Sequence, residues 1–378
     1  CLRTFRMATR PTCASDHLAT CIASERKKRQ RSEDCYAPEL PDIPAISLKA
    51  MFGDDNDAKM ALAQRWDHAC RKVGFIKIKD HGVPRKVIDD CWKASEAFFE
   101  QPLAEKNSVP MDENYPYGYT GVGGENLLGS LDKDATNARP GDLKEMFNVC
   151  LGSANAMPDM PAPRWPKLSN STVLEELQQS YKTYYYELAS LAETLYRVCA
   201  LALGLEESWF TDKNSSHRNV IRAIHYPAQK PPLVPKPGQV RASMHTDYGA
   251  LTILRLGGQH PGGLQVMGAN GAWIDVSTQP EEDCFVINLG DLMARWTNDR
   301  WLSTPHQVIN PMDETAACAR RLSIAYFCNI NMDASVECVP TCAIQTPAKY
   351  EPIKAGDWLM RKHMQTVAGK LCYEKDQV

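Results

Sequence analysis

His245-Thr-Asp247, read together with His306 and Arg321-Leu-Ser323, is the stretch on which the fold turns. In an extended segment residues two apart point the same way, so His245 and Asp247 can converge on one ion while Thr246 faces away. Two imidazoles and one carboxylate take one face of a metal and leave its other positions open for reactants. The third ligand must come from another strand. His306 is the candidate, in Trp301-Leu-Ser-Thr-Pro-His306-Gln-Val-Ile309, where Pro305 ahead of an apolar run is expected to mark an edge strand. Fifteen residues further, Arg321-Leu-Ser-Ile-Ala-Tyr-Phe327 alternates so that Arg321, Ser323, Ala325 and Phe327 share a face. That geometry can clamp a carboxylate.

The two-residue period extends to both sides. Val220-Ile-Arg-Ala-Ile-His-Tyr226 precedes a linker from Pro231 to Pro237, and the His245 segment continues as a strand through Leu254. Gly262 to Met267, a turn containing Asn270-Gly271, and Ala272 to Val276 make a hairpin signal, because Asn-Gly accepts the positive φ of a tight turn. Cys284-Phe-Val-Ile-Asn-Leu289 and Gly290-Asp291 add a strand and a turn. With the His306 and Arg321 strands, these segments predict two facing antiparallel sheets, a double-stranded β-helix or jelly roll.

Upstream the period becomes helical. Ile43 to Leu48 opens the folded part as a short strand. Asp54, Asp55 or Asn56 can then cap a helix carrying Leu62, Trp66, Ala69, Cys70 and Val73, which Gly74 ends. Phe75 to Lys79 alternates as a strand, and a second helix spans about 85 to 100. His81 is read as a turn residue, since the other three positions complete a ligand set. Tyr115-Pro-Tyr117-Gly-Tyr119 and Gly121-Val-Gly-Gly124 read as an irregular loop able to lie over a ligand and move. Four prolines between Pro158 and Pro166 imply an extended crossover. Asn170 or Ser171 then caps a long helix to Leu203, whose Tyr181, Tyr184 and Tyr185 belong to a broad apolar stripe on which the sheet rests. A final helix over about 353 to 367 is expected to pack over the barrel mouth. The fold class is α+β, mainly β with helices: a jelly-roll core over 211–370, supported by the long helix and an N-terminal helical region over 41–210.

Composition sets outer bounds. The 378 residues can bury a large core, and 43% hydrophobic with 24% charged residues is ordinary for a globular chain. A net charge of -3 argues against an overall nucleic-acid-binding surface. The 14 cysteines include no Cys-x-x-Cys pair, which points to reduced thiols in a cytosolic setting and away from a disulfide scaffold or a tetrathiolate zinc site. Residues 1–40 differ from the rest. In the first 31 positions Arg3, Arg6, Arg10, Arg26, Lys27, Lys28, Arg29 and Arg31 face only Asp16 and Glu25, a pattern expected of a disordered basic leader. It is compatible with a solvated tail, an organelle transit peptide or a nuclear signal. Residues 371–378 are expected to be a tail.

The order of His-x-Asp, a histidine 59 residues on and an Arg-x-Ser strand resembles the 2-oxoglutarate/Fe(II) oxygenases of the isopenicillin N synthase-like family. The resemblance runs from about residue 43 to 367. It includes Gly74-Phe-Ile-Lys-Ile-Lys-Asp-His-Gly-Val83, His225-Tyr226-Pro227 and Asn288-Leu-Gly-Asp291. Gln307, after the last histidine, departs from the arginine of many relatives and bears on the ligand's surroundings.

The resemblance implies that His245, Asp247 and His306 hold Fe(II), and that Arg321, Ser323 and Tyr226 bind 2-oxoglutarate as co-substrate. It also implies O2 as oxidant and stimulation by ascorbate. Succinate and carbon dioxide would form while a small-molecule metabolite, of the kind met in secondary metabolism, is hydroxylated, desaturated or cyclised. Residues 115–128 and 142–148 would border that substrate, with Tyr117, Tyr119, Phe147 and Phe327 as candidate contacts. No nucleic-acid or membrane partner is expected, and a cytoplasmic monomer is the expected form. Two alternatives stay open on sequence. One is an oxidase like isopenicillin N synthase, which uses the triad without 2-oxoglutarate; the other is a non-catalytic ligand sensor on the same fold.

Overall fold

The alternation from Val220 onward becomes strand after strand in the computed structural model. It describes residues 43–112, 115–130, 140–153, 160–231, 233–257, 262–276, 278, 282–312, 314–344 and 346–364. In chain order the strands are β1 (Ala45–Ser47), β2 (Phe75–Lys79), β3 (Gly118–Thr120), β4 (Glu145–Val149), β5 (Val220–Tyr226), β6 (Ala242–His245) and β7 (Leu251–Leu256). They continue with β8 (Leu264–Met267), β9 (Trp273–Asp275), β10 (Phe285–Leu289), β11 (His306–Val308), β12 (Arg321–Cys328), β13 (Ser335–Val336) and β14 (Ile353–Lys354). The helices that matter to the argument are α1 (Asn56–Lys72), α2 (Arg85–Phe99), α3 (Ser171–Ala202), α4 (Asp291–Trp296) and α5 (Ala355–His363).

An eight-stranded sheet runs β1-β2-β10-β7-β12-β5-β4-β3, and a four-stranded sheet runs β6-β11-β8-β9. These are the two sheets of the expected double-stranded β-helix. Their pairings are antiparallel except β1 with β2, which is parallel. The N-terminal strands β1 to β4 are hydrogen-bonded into the same sheet as β5, β7, β10 and β12. The N-terminal region therefore completes the barrel wall. One expectation is corrected here: β11 lies between β6 and β8, so it is an inner strand and not an edge. Pro305 is tolerated because it precedes the strand, where its missing N–H costs no ladder bond, and its carbonyl still accepts from Met267 N at 2.9 Å.

The helices form where the caps allow. Asp55 accepts from Ala58 N at 3.0 Å to start α1, and Gly74 at φ +72° lets the chain leave it for β2. Asn170 accepts from Thr172 N and Val173 N to start α3. Leu177, Tyr181, Tyr184, Tyr185, Leu188 and Leu195 of α3 are fully buried, and each such side chain contributes about 1.5–3 kcal/mol through burial. Two tyrosine hydroxyls of α3 tie the helix to the sheet region: Tyr185 Oη donates to Asn219 O, just before β5, and Tyr196 Oη donates to Cys328 O of β12. The tyrosine run is core, as its spacing predicts.

The aromatic part of the stretch expected as an irregular, movable loop is instead anchored, whereas residues 121–124 stay outside any strand or helix. Gly118–Thr120 pairs with β4 as strand β3, and Tyr115 is fully buried with its hydroxyl accepting from Arg164 N at 2.8 Å. Aromatic side chains that could cover a ligand are taken by the core. The last helix begins as expected and is described to residue 364. Trp358 Nε1 donates to Tyr248 O at 2.9 Å, so α5 lies against the segment that carries Asp247. The basic leader and the C-terminal tail lie outside the described residues.

Candidate active site

The three expected ligands converge. One donor atom each from His245, Asp247 and His306 lies within 4.8 Å of the others, the one such cluster of three among the described residues. Pairing of β6 with β11 sets His245 directly opposite His306, and their Nε2 atoms lie 3.9 and 3.8 Å from Asp247 Oδ1. Each Nδ1 is hydrogen-bonded to a carbonyl two residues back, His245 to Ser243 O at 2.7 Å and His306 to Thr304 O at 3.0 Å. The strand geometry thus places the proton on Nδ1 and turns Nε2 to the centre. Burial, then the neighbouring His306, push the His245 imidazole down to about 3, so it is neutral and able to ligate.

Asp247 is held by its other oxygen. Oδ2 accepts from Thr252 Oγ1 at 2.5 Å and Asn288 Nδ2 at 2.6 Å. Burial pushes this carboxyl up, but the two imidazoles and these donors outweigh it and leave it below the usual range. This gives Asn288-Leu-Gly-Asp291 its physical reading. Asn288 fixes the carboxylate, while a Cβ at Gly290 would meet Gly249 O at 2.2 Å. Asp291 accepts from Thr246 and Ser303 and pairs with Lys362 of α5 at 2.7 Å. Two imidazoles and a free carboxylate oxygen, all oriented from behind, fit a divalent iron with open positions.

Arg321, Ser323, Ala325 and Phe327 do share a face of β12, as the alternation predicts. Arg321 is 1% exposed, donates to Ser323 Oγ at 3.3 Å and stacks 4.7 Å from the ring centre of Tyr226, its register partner on β5. The structure therefore brings together the three residues expected to bind a co-substrate. His225 points the other way: its Nδ1 meets Glu145 at 2.7 Å and its ring stacks on Phe99. His81 is the turn residue expected, accepting from Val83 N at 3.2 Å.

The candidate substrate contacts divide. Phe327 stays on the Arg321 face, 5.2 Å under the guanidinium of Arg222. Phe147 and Tyr119 are corrected, because they face the helices: Phe147 packs on Phe98 and Tyr181, and Tyr119 Oη donates to Glu145. Tyr117 packs edge-on against Tyr115 at the core margin and is corrected with them.

Sequence reading missed the charged wall beside the metal. Arg222 Nε donates to Asn148 Oδ1 at 2.6 Å, and its Nη1 lies 3.4 Å from Glu125. Glu125 and Asp142 both pair with the buried Lys144, at 2.8 and 3.2 Å, and Asp142 accepts from Ser243 Oγ at 2.6 Å. Burial pushes Glu125 up, yet Lys144 and Arg222 hold it down at about 2. A network thus leads from Arg222 through Glu125, Lys144, Asp142 and Ser243 to His245. One signal was available: Arg222 shares the two-residue phase of Val220, Ile224 and Tyr226.

Comparison with known proteins places the chain in a family. Residues 43–168 match the family model described as non-haem dioxygenase in morphine synthesis N-terminal, and residues 218–330 match that of the 2OG-Fe(II) oxygenase superfamily. The chain is 31% identical to the 2-oxoglutarate-Fe(II) type oxidoreductase hxnY of Emericella nidulans, over 90% of this chain and 94% of that protein. It is 30% identical to the homoarginine-6-hydroxylase 2-ODD-233 of Oryza sativa subsp. japonica, over 85% and 96%. A full-length Neurospora crassa protein crystallised in complex with alpha-KG superposes with a TM-score of 0.73 at 31% identity, covering 86% of this chain and 98% of that one. With the two imidazoles, the carboxylate and the buried arginine where this chemistry needs them, the chain belongs to the 2OG-Fe(II) oxygenase superfamily.

Proposed function

We propose that this oxygenase acts on a small polar metabolite seated between the metal and the wall formed by Arg222, Asn148 and Phe327. The observation that carries the reading is the placement of that wall. Thr252, which holds Asp247, is the register partner of Phe327, and Phe327 in turn lies under Arg222. A bound molecule there would sit beside the open metal positions, and Arg222, fixed by Asn148 and Glu125, would present a preset donor fork to it. Arg321 stands at the opposite end of β12, so co-substrate and substrate have separate anchors. The relatives support a small molecule: one is a homoarginine hydroxylase, and the N. crassa protein has also been crystallised with thymine.

Fe(II) held by His245, Asp247 and His306, with 2-oxoglutarate and O2, supplies the oxidising equivalent and yields succinate and carbon dioxide. The residues of this chain do the rest. His245 and His306 keep their Nε2 lone pairs aimed by donating from Nδ1, and Asp247 keeps one oxygen free. Similarity to a 2-oxoglutarate-Fe(II) type oxidoreductase and to an N. crassa protein crystallised with alpha-KG supports 2-oxoglutarate use over the oxidase that dispenses with it. The test is succinate release from 2-oxoglutarate with Fe(II), screened over pools of small polar metabolites. A compound that raises release in the wild type, and is oxidised itself, supports the reading. If a compound found in this way is used equally well after Arg222→Ala and after Phe327→Ala, the wall does not hold the substrate.

A further inference from the structure

A second arginine lies at the closed end of the site. Arg241, just before β6, is 1% exposed, like Arg321. Its Nη2 donates to Ala319 O at 3.0 Å, two residues before β12 opens at Arg321. Its Nε and Nη1, and the Nε of Arg321, are buried without a hydrogen-bond partner. Tyr226 stacks on Arg321 and belongs to the same apolar cluster as Ala242, the residue after Arg241. Among the described residues no carboxylate pairs with either guanidinium. Burial, then the charge of Arg321, push Arg241 down to about 10. Two buried cations that repel each other and hold three unused nitrogen donors make an anion site, since a carboxylate offers about four acceptor positions to such donors.

We propose that Arg241 is a second anchor for the distal carboxylate of 2-oxoglutarate, sharing it with Arg321, and that the pair selects a dicarboxylic over a monocarboxylic 2-oxo acid. This rests on the reading of Arg321 as the co-substrate anchor. Among the described residues the Nε and Nη1 of Arg241 and the Nε of Arg321 have no acceptor. Binding of the dianion supplies the missing acceptor, so Arg241 acts as a positioning and specificity residue for the co-substrate.

The test is calorimetric binding of 2-oxoglutarate and of pyruvate to the Fe(II)-loaded full chain under anaerobic conditions. Wild type, Arg241→Gln and Arg321→Gln are compared. Arg241→Gln is expected to weaken 2-oxoglutarate by about tenfold or more and leave pyruvate within about twofold. In the absence of 2-oxoglutarate its melting temperature is expected to hold or rise, because one of two repelling charges is gone, while the rise on adding 2-oxoglutarate shrinks. Unchanged 2-oxoglutarate affinity overturns the proposal. Equal weakening of both ligands, or a large fall in the ligand-free melting temperature, shows a structural role and overturns it too. If Arg241→Gln does not fold, Arg241→Lys carries the same test, with an expected loss of about threefold, since it keeps the charge and loses the fork. Loss in Arg321→Gln alone would leave the co-substrate reading standing and remove only this one; no loss in either would remove both.

Discussion

Thr252 and Asn288 face each other across β7 and β10, and both donate to the same oxygen of Asp247, which leaves Oδ1 turned to the imidazoles of His245 and His306. Two fixed donors on one oxygen set the carboxylate rotamer before any metal arrives. Asn288→Ala is expected to weaken Fe(II) affinity by about 10–100-fold. Anaerobic titration of the metal-free protein reads this directly. An unchanged affinity would mean that the rotamer of Asp247 is set by other contacts.

His306→Ala removes a ligand without touching the helical core. Most turnover should be lost, while the metal-free protein gives up about 1 kcal/mol for the bond to Thr304 O. Turnover close to wild type would remove His306 from the ligand set. Zn(II) and Co(II) are expected to bind the intact site and inhibit, which competition against Fe(II) in the succinate assay measures.

The network behind His245 should matter to stability. Lys144 neutralises Glu125 and Asp142 inside the protein, and breaking such a buried set typically costs about 3–5 kcal/mol because charges are left unpaired. Lys144→Met should lower the denaturation midpoint accordingly. A change under about 1 kcal/mol would show that water or rearrangement compensates the two acids.

The metal ligands were legible in the sequence because a two-residue period and an antiparallel pairing are enough to bring His245, Asp247 and His306 together. Arg321 and Ser323 were legible for the same reason. The wall of Arg222, Glu125, Lys144 and Asn148 was not, because three separate segments meet there and only the register of β4 with β5 makes Asn148 the neighbour of Arg222. Tyr119 and Phe147 were misplaced for a related reason. Glycine and aromatics looked like a loop, whereas pairing of β3 with β4 turned both side chains toward α2 and α3. The position of β11 inside its sheet was hidden by Pro305, whose effect depends on one residue of offset.

Stability should fall in mild acid through His217. This side chain is 5% exposed, and burial lowers it to about 4. Its folded value lies below the ordinary 6.5, so the unfolded chain takes up the proton first. The contribution is complete above pH 6.5 and is lost as pH falls toward 4, a difference of about 3 kcal/mol. Urea denaturation of the metal-free protein at pH 7 and at pH 4.5 should show the fall, and His217→Gln should reduce it, the buried His245 and His363 supplying the remainder. An equal fall in the variant would place the acid sensitivity elsewhere.

Arg321→Gln tests the proposed join between the iron site and a separate cationic anchor for 2-oxoglutarate. Removing one partner of a desolvated charge pair costs about 2–5 kcal/mol, which is roughly 30-fold to several thousand-fold in affinity. Anaerobic binding of 2-oxoglutarate to the Fe(II)-loaded variant, with iron content measured in the same sample, should show that loss at full iron occupancy. Wild-type affinity for 2-oxoglutarate at full iron occupancy would contradict the account.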